Sequence, residues 1–455
     1  MHARTVLLAL AVAVTACKAQ PGPSTSPSAS TPRLLEPSPS GAASPSTPTA
    51  PMPVPASSGD PAALASVARG DRDFAARLYG QVRTPGGNLF FSPTSIRLAL
   101  AMAYAGARGD TKAQMGRVLG LDDSAGPGFA ALLRQWSDRA APPPAAPNEW
   151  AAAEAERKRL VLRVANRLWG QRGKAFRPEF LALLRDDYAA PLEQLDFQGA
   201  TDASRQAINA WVANATEQKI KDLLAPGTVQ PDTRMVLTNA IYFKASWAKE
   251  FWPSGTKEED FTTASGKTVK AHLMHDTGYY RHTHVATGDA PYAVLEVPYG
   301  APGLSMIVLL PDAKDGLPRL EARLDTAMLD AATSKLDTRR VDVAFPRFRN
   351  TSSFMLGQAL SALGMASAFS SKEADFSGMD GTRELFLGAV VHKAFVAVDE
   401  KGTEAAAATA VAMAGAAMPT DPPIPFHADH PFLYVIADTT NRTVLFMGRI
   451  ADPTG

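Results

Sequence analysis

The stretch "VVHKAFVAVDEKGTEAAAATAV", residues 390–411, joins two kinds of sequence. Its first half is strand-like, whereas its second half consists of small residues. Alanine favours helices, but Gly402 stands at one end and the β-branched Thr409 and Val411 lie inside. The run also lacks large apolar residues that would hold an amphipathic helix on a core. We therefore predict a surface segment with no fixed place, or with two alternative places.

The bulk composition is that of a globular protein. The chain has 455 residues, enough for one large domain or two to three average ones. Hydrophobic residues make up 45% and charged residues 20%. A formal net charge of +1 gives no reason to expect nucleic acid as a partner. The single cysteine excludes an intrachain disulfide.

That cysteine ends a targeting segment. The start, "MHARTVLLALAVAVTAC", has the basic Arg4 and an apolar run over 6–14 that is too short to span a membrane. Residues 14–17 resemble the lipobox of bacterial lipoproteins, in which the cysteine is acylated. We predict that residues 1–17 are a lipoprotein signal peptide and that Cys17 anchors the exported protein to a bacterial membrane, at the cell surface or the periplasmic face. The alternative is a plain secretory peptide with a chance cysteine.

Composition also separates a tether from the folded part. Residues 18–61 are mainly Pro, Ser, Thr and Ala, which cannot bury enough apolar surface to offset chain entropy. We predict a disordered, semi-rigid tether there and one domain over 62–455. Within the domain, residues 139–159 have the composition of a surface insertion.

The domain mixes both types of secondary structure. Helical periodicity dominates its first half and strand-like segments its second, which predicts an α+β domain with mainly antiparallel sheets. Ser92 precedes Pro93 and is a candidate N-cap for the second helix.

The sequence contains no catalytic pattern. It lacks a phosphate-binding loop, a dinucleotide fingerprint and a nucleophile elbow. His282 and His284 would share one face of a strand, which is compatible with a zinc site. Without an HExxH motif or a nearby carboxylate at helical spacing, however, the pattern favours surface histidines on a strand. We expect no enzyme activity, no cofactor and no metal.

Several segments, taken in order, resemble the serpin family. This resemblance covers roughly residues 62–453. It implies an α+β fold of three mainly antiparallel sheets with about eight or nine helices, an exposed reactive-centre loop at about 400–425, and a monomer. The matching segments are "NLFFSPTSI" (88–96), "TNAIYFKASW" (238–247), "TKEEDF" (256–261), "LMH" (273–275), "VVHKAFVAVDEKGTEAAAATAV" (390–411) and "FHADHPFLYVIADTTNRTVLFMGRI" (426–450).

The resemblance implies irreversible inhibition of a protease. In inhibitory serpins the protease is acylated by the loop, which then inserts as a new strand of the main sheet. Small residues suit this step, because a strand that enters between two others buries both of its faces. The alternative is a non-inhibitory serpin that acts as a binding or chaperone-like module. The residues that match the inhibitory hinge are Glu400, Gly402, Thr403, Glu404, Ala405, Ala406, Ala407 and Ala408.

Family spacing also implies a scissile bond. In inhibitory serpins the scissile residue usually lies 16 positions after the hinge glutamate. Counted from Glu400, this implies the bond Ala416–Ala417, with Met413 and Met418 as alternatives. Small residues there favour an elastase-like or subtilisin-like serine protease, with a papain-like cysteine protease as a further alternative.

Two further features carry over from the family. Ser92, Ser95, Asn239 and His392 match a polar cluster beneath the main sheet, and Trp247 matches a tryptophan where the loop enters it. The 139–159 insertion lies near a helix where some serpins bind cofactors. Its charges are mixed, so we infer no heparin-like partner.

Overall fold

The computed structural model describes residues 54–141, 147–286, 288–404 and 422–455. The helices are α1 (Pro61–Val82), α2 (Pro93–Gly106), α3 (Gly109–Leu119), α4 (Ala125–Ala140), α5 (Glu149–Arg157), α6 (Pro178–Tyr188), α7 (Thr201–Ala215), α8 (Leu317–Ala322), α9 (Thr326–Ser334), α10 (Gly357–Leu360) and α11 (Ser377–Asp380). The strands are β1 (Leu89–Phe91), β2 (Leu160–Gln171), β3 (Glu193–Leu195), β4 (Met235–Ser246), β5 (Lys257–Thr262), β6 (Thr268–Val285), β7 (Tyr292–Pro298), β8 (Leu304–Pro311), β9 (Asp337–Pro346), β10 (Phe348–Met355), β11 (Ala389–Asp399), β12 (Gly402–Thr403), β13 (Ile424–His427), β14 (Phe432–Asp438) and β15 (Thr443–Ile450).

The α+β prediction is confirmed. Helices cluster in the first half of the chain and strands in the second. In the described residues α10 and α11 have only four residues each, and the other nine helices match the expected number. None of the helices in these ranges is both long and apolar enough to cross a bilayer.

The strands form two hydrogen-bonded networks. One has the order β1-β15-β14-β8-β7-β6-β9-β13, with β5 added to β6. The other is the six-stranded sheet β10-β11-β12-β4-β2-β3, in which β11 also pairs with β4. Three sheets were predicted. Two of them are continuous here because β6, with 18 residues, pairs with β5 and β9 along its first part and with β7 at its end.

The two helices that begin the domain start as their sequences indicate. Asp60 caps α1 by accepting a hydrogen bond from the Ala62 amide at 2.9 Å. Ser92 caps α2, as predicted, through a 3.1 Å bond from the Ser95 amide. Nearly every side chain of α2 is buried, because the helix runs through the main core.

Both faces of the six-stranded sheet are covered. On β4, Leu237, Ile241 and Phe243 belong to the main core, whereas Val236 and Ala240 belong to a second apolar cluster. The second cluster includes Ile208 and Val212 of α7, so that helix lies over the outer face. Any strand added to this sheet would therefore be buried on both sides.

The described residues include a segment before the predicted boundary at 62. Helix α1 starts at Pro61, and the described residues before it are held by Arg134 of α4. Its guanidinium donates to the carbonyls of Pro55 and Ser57, each at 2.6 Å. Proline lacks an N–H but keeps its carbonyl, so a Pro-rich segment still offers acceptors.

The 139–159 insertion contains helix α5. Asn148 caps it by accepting a 2.8 Å bond from the Ala151 amide. Trp150 is 69% exposed.

Candidate functional site

The site is a seam in the six-stranded sheet between β4 and β11. These strands pair directly and in parallel over residues 236–242 and 389–395. At the far end of the seam the strand β12 lies between them and is antiparallel to both. Thr403 is opposite Val398 on one side and Ala245 on the other.

Gly402 fits this slot because it has no side chain. Its φ is +146°, which favours glycine. A Cβ at this position would lie 2.3 Å from the Ala245 carbonyl oxygen and 2.6 Å from Ser246 Cα. The backbone of β4 could not move away without breaking the pairing, so only glycine allows this approach.

Thr403 occupies a small polar pocket under the sheet. Its side chain is fully buried, and its Oγ1 is 2.8 Å from the Tyr299 hydroxyl. The Tyr299 ring stacks on Trp247, with centroids 4.6 Å apart and planes 13° from parallel. A small side chain with one hydroxyl is therefore matched to the pocket.

Trp247 and Glu400 hold the turn that precedes β12. Trp247 is fully buried, and its indole N–H donates to the Asp399 carbonyl at 2.9 Å. The Glu400 carboxylate accepts hydrogen bonds from Arg347 and from the Thr256 hydroxyl. Burial alone would raise the pKa of Glu400, but these bonds outweigh it and lower that pKa.

Glu404 ends the described part of the hinge and points to the outer face of the sheet. Its φ is +52°, and its amide donates to the Ala397 carbonyl at 2.9 Å. Its carboxylate forms a 3.0 Å ion pair with the Lys219 ammonium. The Tyr242 hydroxyl is hydrogen-bonded to the same carboxylate. Burial, and then this bond, raise the pKa of Tyr242. We call the Lys219–Glu404 pair the hinge ion pair.

A polar cluster lies across the directly paired part of the seam. Asn239 of β4 and His392 of β11 are opposite each other in register, and His392 Nδ1 is hydrogen-bonded to Asn239 Oδ1. The other ring nitrogen accepts a 3.1 Å bond from the Ser92 amide. Burial lowers the pKa of His392 to about 3, so the ring is neutral. The Asn239 amide group donates to Ser95 Oγ at 2.7 Å. The structure thus brings together all four predicted residues.

Asn166 is a fifth member that the sequence analysis missed. It lies on β2, and its amide nitrogen donates to the Ser95 carbonyl at 3.1 Å. Asn239 in turn donates to Asn166 Oδ1. A signal was present, because Asn166 interrupts a face of β2 that otherwise carries Leu162 and Leu168 in the core. We call these five residues the seam cluster.

Comparison with known proteins assigns the fold to a family. A family model described as Serpin (serine protease inhibitor) matches residues 69–453. The chain belongs to the serpin family. It is 40% identical to the leukocyte elastase inhibitor of Bos taurus over 377 residues, which cover 81% of this chain and 94% of the relative. The leukocyte elastase inhibitor A of Rattus norvegicus is 38% identical, and the match covers 84% of this chain and 97% of the relative. The crystal structure of uncleaved ovalbumin matches with a TM-score of 0.72 and 28% identity, and the match covers 85% of this chain and 100% of ovalbumin.

In this serpin the start of the loop is not exposed as the predicted range 400–425 implied. Glu400, Gly402 and Thr403 are buried, because the chain turns back into the sheet directly after β11. The last part of that range already belongs to β13, which begins at Ile424. Other predicted site residues lie outside the described residues, namely Cys17, Ala405, Ala406, Ala407, Ala408, Met413, Ala416, Ala417 and Met418.

The histidines of β6 have separate environments. His282 is buried next to Phe426, with ring centroids 6.3 Å apart. His284 is more exposed, and its Nε2 lies 2.9 Å from Asp312. Within 54–141, 147–286, 288–404 and 422–455, no three His, Cys, Asp or Glu side chains are grouped so that they could hold a metal ion.

Proposed function

We propose that this serpin inhibits a serine protease irreversibly by inserting its cleaved loop into the seam between β4 and β11. The observation that carries the proposal is the position of β12, whose residues pair antiparallel with both seam strands. The residues after Glu404 can continue along the same line. The inhibitors of leukocyte elastase among its relatives support the same activity.

The protease carries out the bond cleavage, and the serpin then traps the acyl-enzyme by inserting its loop. The protease serine Oγ attacks the Ala416 carbonyl carbon, an ester bond forms, and the Ala416–Ala417 peptide bond breaks. The protease histidine takes the serine proton and delivers it to the departing Ala417 nitrogen. Insertion must then distort the acyl-enzyme before water hydrolyses the ester.

The pairing of the seam explains why insertion is favourable. One parallel ladder between β4 and β11 would be exchanged for two antiparallel ladders, and antiparallel pairing is slightly the more stable. Roughly a dozen added hydrogen bonds, each contributing about 1 kcal/mol net, make the inserted state lower in free energy. The bonds of the seam cluster oppose the opening, because the Asn239–His392 pair crosses the seam.

The alternation of the hinge fits the two faces of the sheet. Thr403 points to the inner face and Glu404 to the outer face. Continued insertion would place Ala405, Ala407, Thr409 and Val411 inside and alanines outside, under α7. All are small enough to enter between occupied layers.

A protease panel tests the proposal. The purified serpin is incubated with an elastase-like, a subtilisin-like, a trypsin-like and a papain-like protease. We expect a 1:1 complex that survives denaturing electrophoresis with an elastase-like or subtilisin-like enzyme, and mass spectrometry should locate cleavage at Ala416–Ala417. Cleavage without any stable complex would instead support the non-inhibitory alternative.

We further propose that Cys17 carries the lipid that tethers this serpin to a bacterial membrane. In the variant Cys17→Ser no acyl chains can be attached, and each buried methylene contributes about 0.8 kcal/mol to anchoring. We expect the variant in the soluble fraction and the wild type in the membrane fraction after export. Equal membrane fractions for the two proteins would contradict this proposal.

The hinge ion pair is expected to hold Glu404 at the seam. Lys219→Met keeps an unbranched side chain that is one atom shorter and removes its charge. Such a partly exposed pair contributes about 0.5–1 kcal/mol, so hydrogen exchange of the peptide 397–404 should become two- to fivefold faster. Lys221→Met removes an exposed charge two residues away and is the matched control. The idea fails if both variants exchange at the same rate.

A further inference from the structure

A cavity separate from the seam has the lining of a small-molecule site. Its volume is about 600 Å³, within the range of roughly 300–1,000 Å³ that ligand pockets occupy. It lies where the end of α1, the start of α8 and the end of β15 meet. Its apolar wall is formed by Pro85, Leu317, Pro318, Pro431 and Ala451.

One side of this cavity carries surplus positive charge. The Glu321 carboxylate accepts hydrogen bonds from Arg83 at 3.0 Å and from Arg449 at 2.5 Å. Two guanidinium groups therefore share one carboxylate. The Tyr79 hydroxyl also donates to Glu321 and adds no charge, because burial and Glu321 raise its pKa well above the ordinary value.

The surplus resides on Arg83. Arg449 is only 4% exposed, and it also donates to the carbonyls of Thr84 and Gly87. The Arg83 side chain is 35% exposed, and among the described residues its guanidinium donates to Glu321 alone. Its remaining N–H groups are available to a ligand in the cavity.

The other charges that line the cavity are compensated. Lys314 pairs with Asp429 at 3.1 Å, and Asp315 pairs with Arg319 at 3.0 Å. These pairs leave the local excess of one positive charge at Arg83. A metal cation would be repelled. One free guanidinium balances the charge of a singly charged anion, and a planar carboxylate can accept two parallel hydrogen bonds from it.

We propose that this cavity binds a small monocarboxylate with an apolar body. The carboxylate would accept two parallel hydrogen bonds from Arg83, which is the geometry that guanidinium groups favour. The hydrocarbon part would cover the wall formed by the prolines and Leu317. The site does not depend on protease inhibition, so a variant with an inactivated hinge should bind equally well.

Isothermal titration calorimetry with decanoate tests the charged part of the site. Decanol, with the same chain but no charge, and acetate, with the charge but no chain, are expected to bind at least tenfold more weakly than decanoate. Arg83→Gln should lower the decanoate affinity at least tenfold. Arg185→Gln removes an exposed arginine that does not line the cavity and should leave the affinity unchanged.

A second variant keeps the test independent of the Arg83–Glu321 pair. Ala264 is exposed and lines the cavity, so Ala264→Phe fills part of its volume and leaves both arginines in place. It should also lower the affinity at least tenfold, with an unchanged melting temperature. Absence of decanoate binding to the wild type, equal binding of decanol, or full binding by Ala264→Phe would each overturn the proposal.

Discussion

Replacing Thr403 with arginine is expected to turn this serpin from an inhibitor into a substrate. Thr403 is fully buried between Val398 and Ala245, and among the described residues its side chain has one hydrogen-bond partner, the Tyr299 hydroxyl. A guanidinium there would lose its hydration without gaining an opposite charge, which costs several kcal/mol. The arginine is therefore expected to stay outside the slot until insertion forces it in. If about 3 kcal/mol of the burial cost appears in the barrier, insertion slows roughly 100-fold. Hydrolysis of the acyl-enzyme then competes with insertion, and the protease is released active.

The measurement is the number of inhibitor molecules consumed per protease molecule inactivated. We expect this number to rise at least tenfold in Thr403→Arg, while the cleavage site stays the same. Thr403→Ser keeps a small hydroxyl in the pocket and should behave like the wild type. An unchanged number in the arginine variant would contradict insertion through this slot.

Replacing Ala416 with arginine is expected to redirect the inhibitor to trypsin-like proteases. Their specificity pocket carries a carboxylate that pairs with a basic side chain, whereas a shallow elastase-like pocket cannot accept one. Leaving the pocket carboxylate without a basic partner makes a trypsin-like protease discriminate against such a substrate by a factor on the order of 100 or more. The second-order rate constant of inhibition should therefore rise by about that factor for trypsin and fall by about that factor for elastase.

The double variant Ala416→Arg with Thr403→Arg separates the two roles. Trypsin should cleave it rapidly, but no stable complex should form, because recognition is kept and insertion is lost. If Ala416→Arg is still cleaved by elastase at the wild-type rate, the scissile bond lies elsewhere. Met413 and Met418 are then the positions to replace next.

The seam cluster was largely predictable from the sequence, because its members stand in segments with strong family resemblance. Asn166 was missed although it is polar within an apolar face. The two partners of the hinge, Tyr299 and Lys219, could not be predicted. Their contacts depend on how far the hinge enters the sheet, and that distance reflects a balance of a few kcal/mol that no local pattern encodes.

Sheet connectivity was equally hidden from the sequence. The strand-like first half of 390–411 indicated β11, but not which strands lie beside it. Whether β6 ends at one sheet or continues into the next depends on partners that are distant along the chain. The contacts of Arg134 with residues 55–57 were hidden for a related reason, since composition alone describes those residues as tether.

The pairing of β1 with β15 has a consequence for how this protein is made. Leu89 lies opposite Arg449 and Phe91 opposite Met447, so a strand near the start of the domain has its partner near the end of the chain. Such distant pairings form slowly, and a ribosome synthesises the first strand long before the last. The apolar side chains of β1 are all buried in the finished fold, and they therefore lack their partner until β15 has been synthesised. During that interval they are exposed apolar surface, which makes the incomplete domain prone to aggregation.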